Sequence, residues 1–168
     1  MDTQSDRDEY AKDADERPPF EPTLIPCGEY VVKFQRYETR RFQGCGGKVF
    51  AYFCIVEDDQ FAGSVVERFY NVDRLNGPPG DGGKFVAPVR GLLYREVTGI
   101  LGASARPDRV PLARLRGKRI KAEIVAVRRD RNGIALPKCH WYNKIGRLIE
   151  ALPDENWSAV TPAAMRSS

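Results

Sequence analysis

Long apolar runs are missing from this 168-residue chain: nothing approaches the roughly 18 consecutive apolar residues that a membrane-spanning helix needs. A hydrophobic content of 42% supports one modest core, so one domain and no membrane partner are expected. The first residues also lack a basic region followed by an apolar segment, so no secretory signal is expected and the setting reads as cytoplasmic, with reduced cysteines. Cys27, Cys45, Cys54 and Cys139 share no C-x-x-C spacing. The one histidine, His140, adjoins Cys139 on what reads as a strand, where neighbours point to opposite faces and chelate poorly. Neither a metal nor another cofactor is therefore expected.

A single histidine also leaves nucleophilic catalysis short of its usual base, and no Gly-x-Ser-x-Gly elbow is present. Two glycine-lysine segments fail as phosphate loops. Before Lys48 the first required glycine is Phe42 and the hydroxyl position is Val49; around Lys84 the same positions are Pro78 and Phe85. Asp58-Asp59 and Asp154-Glu155 read as solvated turn acids, so no enzyme is expected.

What the chain does have is unevenly placed charge. Residues 1–17 hold seven acids against three bases, and the remaining 24 bases and 16 acids give the body an excess of eight positive charges. Such a leader cannot bury enough surface to offset its ordering entropy, so residues 1–23 read as a disordered acidic and proline-rich leader. Pro18, Pro19, Pro22 and Pro26 favour an extended lead-in. Residues 24–152 read as the folded domain and 153–168 as a flexible tail.

Gly28 opens a first strand to Phe42, with Tyr30, Val32 and Phe34 on one face and Lys33, Gln35, Tyr37, Thr39 and Arg41 on the other. A glycine turn around Gly44, Gly46 and Gly47 follows. The second strand, Lys48 to Val56, sets Val49, Ala51, Phe53 and Ile55 against Lys48, Phe50, Tyr52 and Cys54. In a third strand, Ser64 to Val72, either facing turns Glu67 or Arg68 inward, a conflict that a bulge would relieve. Residues 76–84 read as loop, and Pro88 to Leu101 as a helix with Val89, Leu92, Leu93, Val97, Ile100 and Leu101 along one stripe. Gly91 and Gly99 within it are expected to allow close packing against strands.

A helical turn ending at Gly117 leads into a fourth strand with Ile120, Ala122, Ile124 and Ala126 alternating. Arg128-Arg129-Asp130-Arg131-Asn132-Gly133 then reads as a hairpin tip in which Asn-Gly supplies positive φ angles. A fifth strand is expected near Ile134 to Trp141. Asn143 to Leu152, with Ile145, Leu148, Ile149 and Leu152 at helical spacing, reads as a short terminal helix.

The order strand, strand, strand, helix, strand, strand predicts a mainly β fold, a five-stranded oligonucleotide-binding (OB) barrel with a short C-terminal helix. Single strands are held by cations along the phosphates and by rings on which bases stack. Lys33, Tyr37 and Arg41 from the first strand, Lys48, Phe50 and Tyr52 from the second, and Arg128, Arg129 and Arg131 from the hairpin are the expected contact residues.

Gly28 to Val32, Arg68-Phe69-Tyr70-Asn71-Val72, and Leu112 to Ile120 resemble the OB-fold single-stranded DNA-binding proteins of phages and mobile genetic elements. The resemblance spans about residues 24 to 152. It implies protection or presentation of single-stranded DNA during replication or recombination. RNA stays open as the ligand. So do a homodimer or adaptor use of the same face without nucleic acid and, behind it, a metal-dependent nuclease.

Overall fold

The structure, a computed structural model, describes residues 23–42 and 46–153. The acidic leader up to residue 22, the tail beyond residue 153 and part of the glycine turn lie outside them. The described chain is mainly β with one α-helix: β1 (Gly28–Phe42), β2 (Gly46–Glu57), β3 (Val65–Val72), β4 (Arg74–Leu75), β5 (Gly80–Asp81), β6 (Phe85–Val86), α1 (Leu92–Leu101), β7 (Arg119–Val127) and β8 (Tyr142–Ala151). It forms two compact units, residues 25–126 with 143–153, and residues 127–142 with 23–24.

In the larger unit the pairings run in a ring. β1 pairs antiparallel with β2, β2 with β3, β3 in parallel with β8 at Glu67↔Lys144, β8 with β7, and β7 with the first part of β1 from Gly28↔Ile124 to Lys33↔Arg119. The later part of β1 pairs with β5 at Glu38↔Asp81 and Thr39↔Gly80. The segment read as plain loop at 76–84 thus contributes β5, framed by the small β4–β6 ladder. Gly83 lets this segment lie on β1, since a Cβ there would come within 2.0 Å of Thr39 Oγ1.

Val32, Phe34, Val49, Ala51, Phe53, Ile55, Ile120, Ala122 and Ile124 fill the interior, together with Leu93, Val97 and Ile100 of α1. Phe34 and Phe53 meet edge to face at 5.6 Å. α1 is shorter than its periodicity suggests. Gly91 is its N-cap rather than an interior residue, Val89 and Leu92 are exposed, and Gly102 ends it at φ 62°. Close packing explains neither glycine: at Gly91 an added Cβ would meet Pro88 of the same turn, and at Gly99 it would meet nothing within 4 Å.

The expected C-terminal helix is instead β8. Buried Ile145 and Leu148 are three residues apart, which suits a helix but also suits a strand whose alternation slips by one. The facing strands decide between them, because β3 and β7 would otherwise leave backbone groups unpaired and β8 pairs with both. The region expected as fifth strand, 134–141, divides into the return of a small hairpin and a 3-10 turn at Lys138–His140. Cys139 and His140 therefore sit on an exposed turn, not on a strand.

β3 resolves its conflict without a bulge, its register to β2 running unbroken from Gly47↔Val72 to Cys54↔Val65. Arg68 points inward with Val66 and Tyr70, and Glu67 and Phe69 point outward. Burying a guanidinium costs several kcal/mol unless a counter-charge and hydrogen bonds satisfy it, on the order expected for any buried ion. Glu96 of α1 supplies both: Arg68 donates from Nε to Oε2 at 3.2 Å and from Nη2 to Oε1 at 2.9 Å. Arg68 Nη1 also donates to the Ile145 carbonyl at 3.2 Å, and the Tyr70 hydroxyl donates to Glu96 Oε2 at 2.7 Å. Burial, with Glu96 beside it, holds the Tyr70 hydroxyl well above its ordinary pKa. The cluster ties β3, α1 and β8 together. Removing the carboxylate leaves a buried, unpaired cation, so Glu96→Ala should destabilise the fold by about 3–5 kcal/mol. The urea-unfolding midpoint measures this, and a loss under about 1 kcal/mol would show that the ion pair is dispensable.

Candidate functional site

The outer surface of β1, β2 and β3 is assembled by a kink in β1. Phe34 pairs with Phe53, but the next pairing is Arg36 with Tyr52, so Gln35 is an extra residue and the side-chain alternation flips there. Beyond it, Arg36, Glu38, Arg40 and Phe42 share a face with Tyr52, Phe50 and Lys48. β3 adds Glu67, Phe69 and Asn71, which pair with those β2 residues, and β8 adds Lys144 opposite Glu67.

Three rings run in a row across this face. Phe42 and Phe50 are 6.2 Å apart between centroids, tilted by 35°, and Phe50 and Phe69 are 6.1 Å apart, tilted by 39°. Cations lie over them at cation–π range. Arg36 is 4.1 Å from the Tyr52 centroid and Arg40 4.4 Å from that of Phe50. Lys48 lies 5.1 Å from Phe42 and Lys144 4.9 Å from Phe69. Phe50 is only 9% exposed although it lies outside the core, and Phe42 is 39% exposed. With Lys33, the face carries five cations against the carboxylates of Glu38, Glu67 and Asp81.

Glu38 is the centre of this arrangement. Its carboxylate accepts from Arg36 Nη1 at 3.2 Å, from Arg40 Nε and from the Tyr52 hydroxyl at 3.0 Å, with a further ion pair to Arg40 Nη2. Burial works to raise the Glu38 pKa, but the hydrogen bonds from Arg40, Arg36 and Tyr52 outweigh it and hold the group below its ordinary value. Burial and the Glu38 hydrogen bond push the Tyr52 hydroxyl up.

The expected contact residues divide. Phe50 and Tyr52 share the outer face with Lys48, and Lys33 lies on it opposite Cys54. Tyr37 does not join them, and its expected position is corrected: the extra residue at Gln35 turns it to the other side, opposite buried Ala51. There it meets Phe85 edge to face at 5.9 Å and donates to the Gly82 carbonyl at 3.2 Å. Arg41 follows the same parity and lines a pocket with Asp73, Arg74 and Leu75.

Arg128, Arg129 and Arg131 belong to the smaller unit, described by itself. Its loop closes through Gly133 N–H to Asp130 O at 3.1 Å and Asp130 N–H to Ile134 O at 2.9 Å. This encloses residues 131–133 instead of a two-residue Asn-Gly turn, with Gly133 at φ 80°. The Asp130 carboxylate caps the backbone amides of Asn132 and Ile134, both at 2.8 Å. Arg128 lies 4.9 Å from the Trp141 ring centroid, Arg129 donates to Gly133 O at 2.8 Å, and Arg131 is exposed.

No family model, curated protein or solved structure matches the chain. The sequence reading missed Phe42, Phe69, Arg36, Arg40 and Lys144 as partners of Phe50 and Tyr52. Only the run of charges from Arg36 to Arg41 hinted that strict alternation from Phe34 onward would bury Arg36, Glu38 and Arg40.

Because the folded pKa of Glu38 lies below its unfolded value, the group contributes stability above the ordinary carboxylate range, lost as pH falls through the folded value. Asp81 and Glu67 place further carboxylates beside Arg36 and Arg40 respectively. The urea midpoint should fall as pH drops from about 5 to about 3, and Glu38→Gln should flatten part of that fall. An acid limb identical in the two proteins would show that the hub is not coupled to folding.

Proposed function

We propose that the ring is an OB barrel whose β1–β2–β3 face binds single-stranded DNA without strong sequence preference. Support for the fold comes from five long strands paired in the order β1, β2, β3, β8, β7 and back to β1, with the helix between the third and fourth. In that fold class, strands two and three and the loops joining strands one to two and four to five are the usual contact elements.

The observation that carries the reading is the row Phe42, Phe50, Phe69 flanked by Arg40, Lys48 and Lys144. Rings of this kind stack bases at about 1–3 kcal/mol each, whatever the base, and adjacent cations meet phosphates. Arg128, Arg129 and Arg131 lie on the connection between the fourth and fifth strands and would offer phosphates the cations of the smaller unit. Lys33, Lys48, Phe50 and Tyr52 keep their proposed contact role. Tyr37 and Arg41 give up theirs to Arg40, Phe42, Phe69 and Lys144. The resemblance to phage and mobile-element proteins favours DNA over RNA, and a cytoplasmic role in replication or recombination.

Titration of fluorescent poly-dT at two salt concentrations tests this. Log affinity should fall linearly with log salt, by about 0.7 per phosphate neutralised. Phe42→Ala and Phe69→Ala should each weaken binding by about 1–3 kcal/mol with the circular dichroism unchanged. Absent binding would overturn the reading, all the more if the protein self-associates through this face. Magnesium-dependent loss of the oligonucleotide would make it a nuclease.

A further inference from the structure

The pairing of Arg36 and Arg40 around one carboxylate, on top of two aromatic rings, describes a site more specific than a basic surface. Each arginine side chain is half exposed, whereas the Glu38 side chain between them is 20% exposed. Arg36 lies over Tyr52 and Arg40 over Phe50, so each guanidinium rests on a ring. Arg40 directs Nε and Nη2 at one oxygen, Glu38 Oε1, and Arg36 Nη1 takes the other, Oε2, a set of charged donors that matches phosphate oxygens as well as carboxylate ones. The Tyr52 hydroxyl completes the oxygen-binding set by donating to Glu38 while accepting from Arg40 Nη2 at 3.3 Å. Asp81 stands 3.6 Å from Arg36 and accounts for part of that residue's charge, but Arg40 has Glu38 as its close carboxylate.

We propose that Arg36, Arg40 and Tyr52 form a binding site for one backbone phosphodiester, and that Glu38 occupies it in the free protein as an internal substitute for the phosphate. The idea rests on the nucleic-acid reading of this face and names the residue that sets its affinity. A strand arriving on the face exchanges the carboxylate for a phosphate on the same donors. Glu38 thereby orders the arginines when no ligand is present and opposes any ligand that cannot replace it, which disfavours neutral partners.

The test uses the full chain and an oligo-dT probe. Glu38→Gln keeps an oxygen acceptor for Arg40 and Tyr52 but removes the competing charge, so it should bind oligo-dT about five- to tenfold more tightly at low salt. The gain should shrink at high salt. Arg40→Gln should weaken binding and lower the salt slope by about one phosphate contact. The loss from Arg40→Gln should be larger in the Glu38→Gln background than in the natural one.

Equal or weaker binding by Glu38→Gln overturns the substitute role. A salt slope untouched by Arg40→Gln overturns the phosphate site even if the Glu38 variant fails to fold. If the natural protein fails to bind and Glu38→Gln binds, the substitute role of Glu38 is supported while single-strand binding by the natural protein falls. If neither binds, the nucleic-acid reading of the face falls with it.

Discussion

One extra residue in β1 sets the chemistry of the surface. Without the slip at Gln35, strict alternation from Phe34 would send Arg36, Glu38 and Arg40 inward and leave Tyr37 and Thr39 outside. Burying three charged groups in an interior filled by Phe53, Ala51 and Val49 would cost far more than a local break in the ladder. The slip is thus forced by the composition of the strand. It has two products: an interior side where Tyr37 and Thr39 pack beneath the β5 segment, and an outer side where arginines meet aromatic rings.

The same chemical unit, a carboxylate holding arginine and a tyrosine hydroxyl, appears twice among the described residues. Around Glu96 it is buried, with Arg68 and Glu96 side chains about a tenth exposed, and each guanidinium nitrogen and the Tyr70 hydroxyl donates a hydrogen bond. There the low effective dielectric makes partner loss expensive, and the cluster acts as a fastener between sheet and helix. Around Glu38 the arginines are half in water, where screening weakens the pair and an incoming anion can compete for it. Burial separates a structural use of the motif from an exchangeable one.

Much of the fold was legible in the sequence because it rests on local periodicity. β1, β2, β3 and β7 follow their alternating apolar residues, and the interior of α1 follows Leu93, Val97 and Ile100. The terminal strand was not legible, since Ile145 and Leu148 have the spacing of a helix and only the open edges of β3 and β7 select a strand. The facing of β3 turned on Glu96, a partner 28 residues away that no local pattern marks. Half of the candidate site was hidden for the same kind of reason. Phe50 and Tyr52 could be placed from β2 alone, but Phe42, Arg36 and Arg40 required the slip, Phe69 required the facing of β3, and Lys144 required β8.

The central claim is that the outer face of β1, β2 and β3 is the surface that meets a single strand. The most direct measurement is the mapping of chemical-shift changes by NMR as oligo-dT is added to the full chain. Changes are expected at Arg36, Arg40, Phe42, Lys48, Phe69 and Lys144, with Tyr37, Thr39 and Phe85 on the interior side little affected. Changes centred on Tyr37 and Phe85, or confined to residues away from β1, β2 and β3, would contradict it.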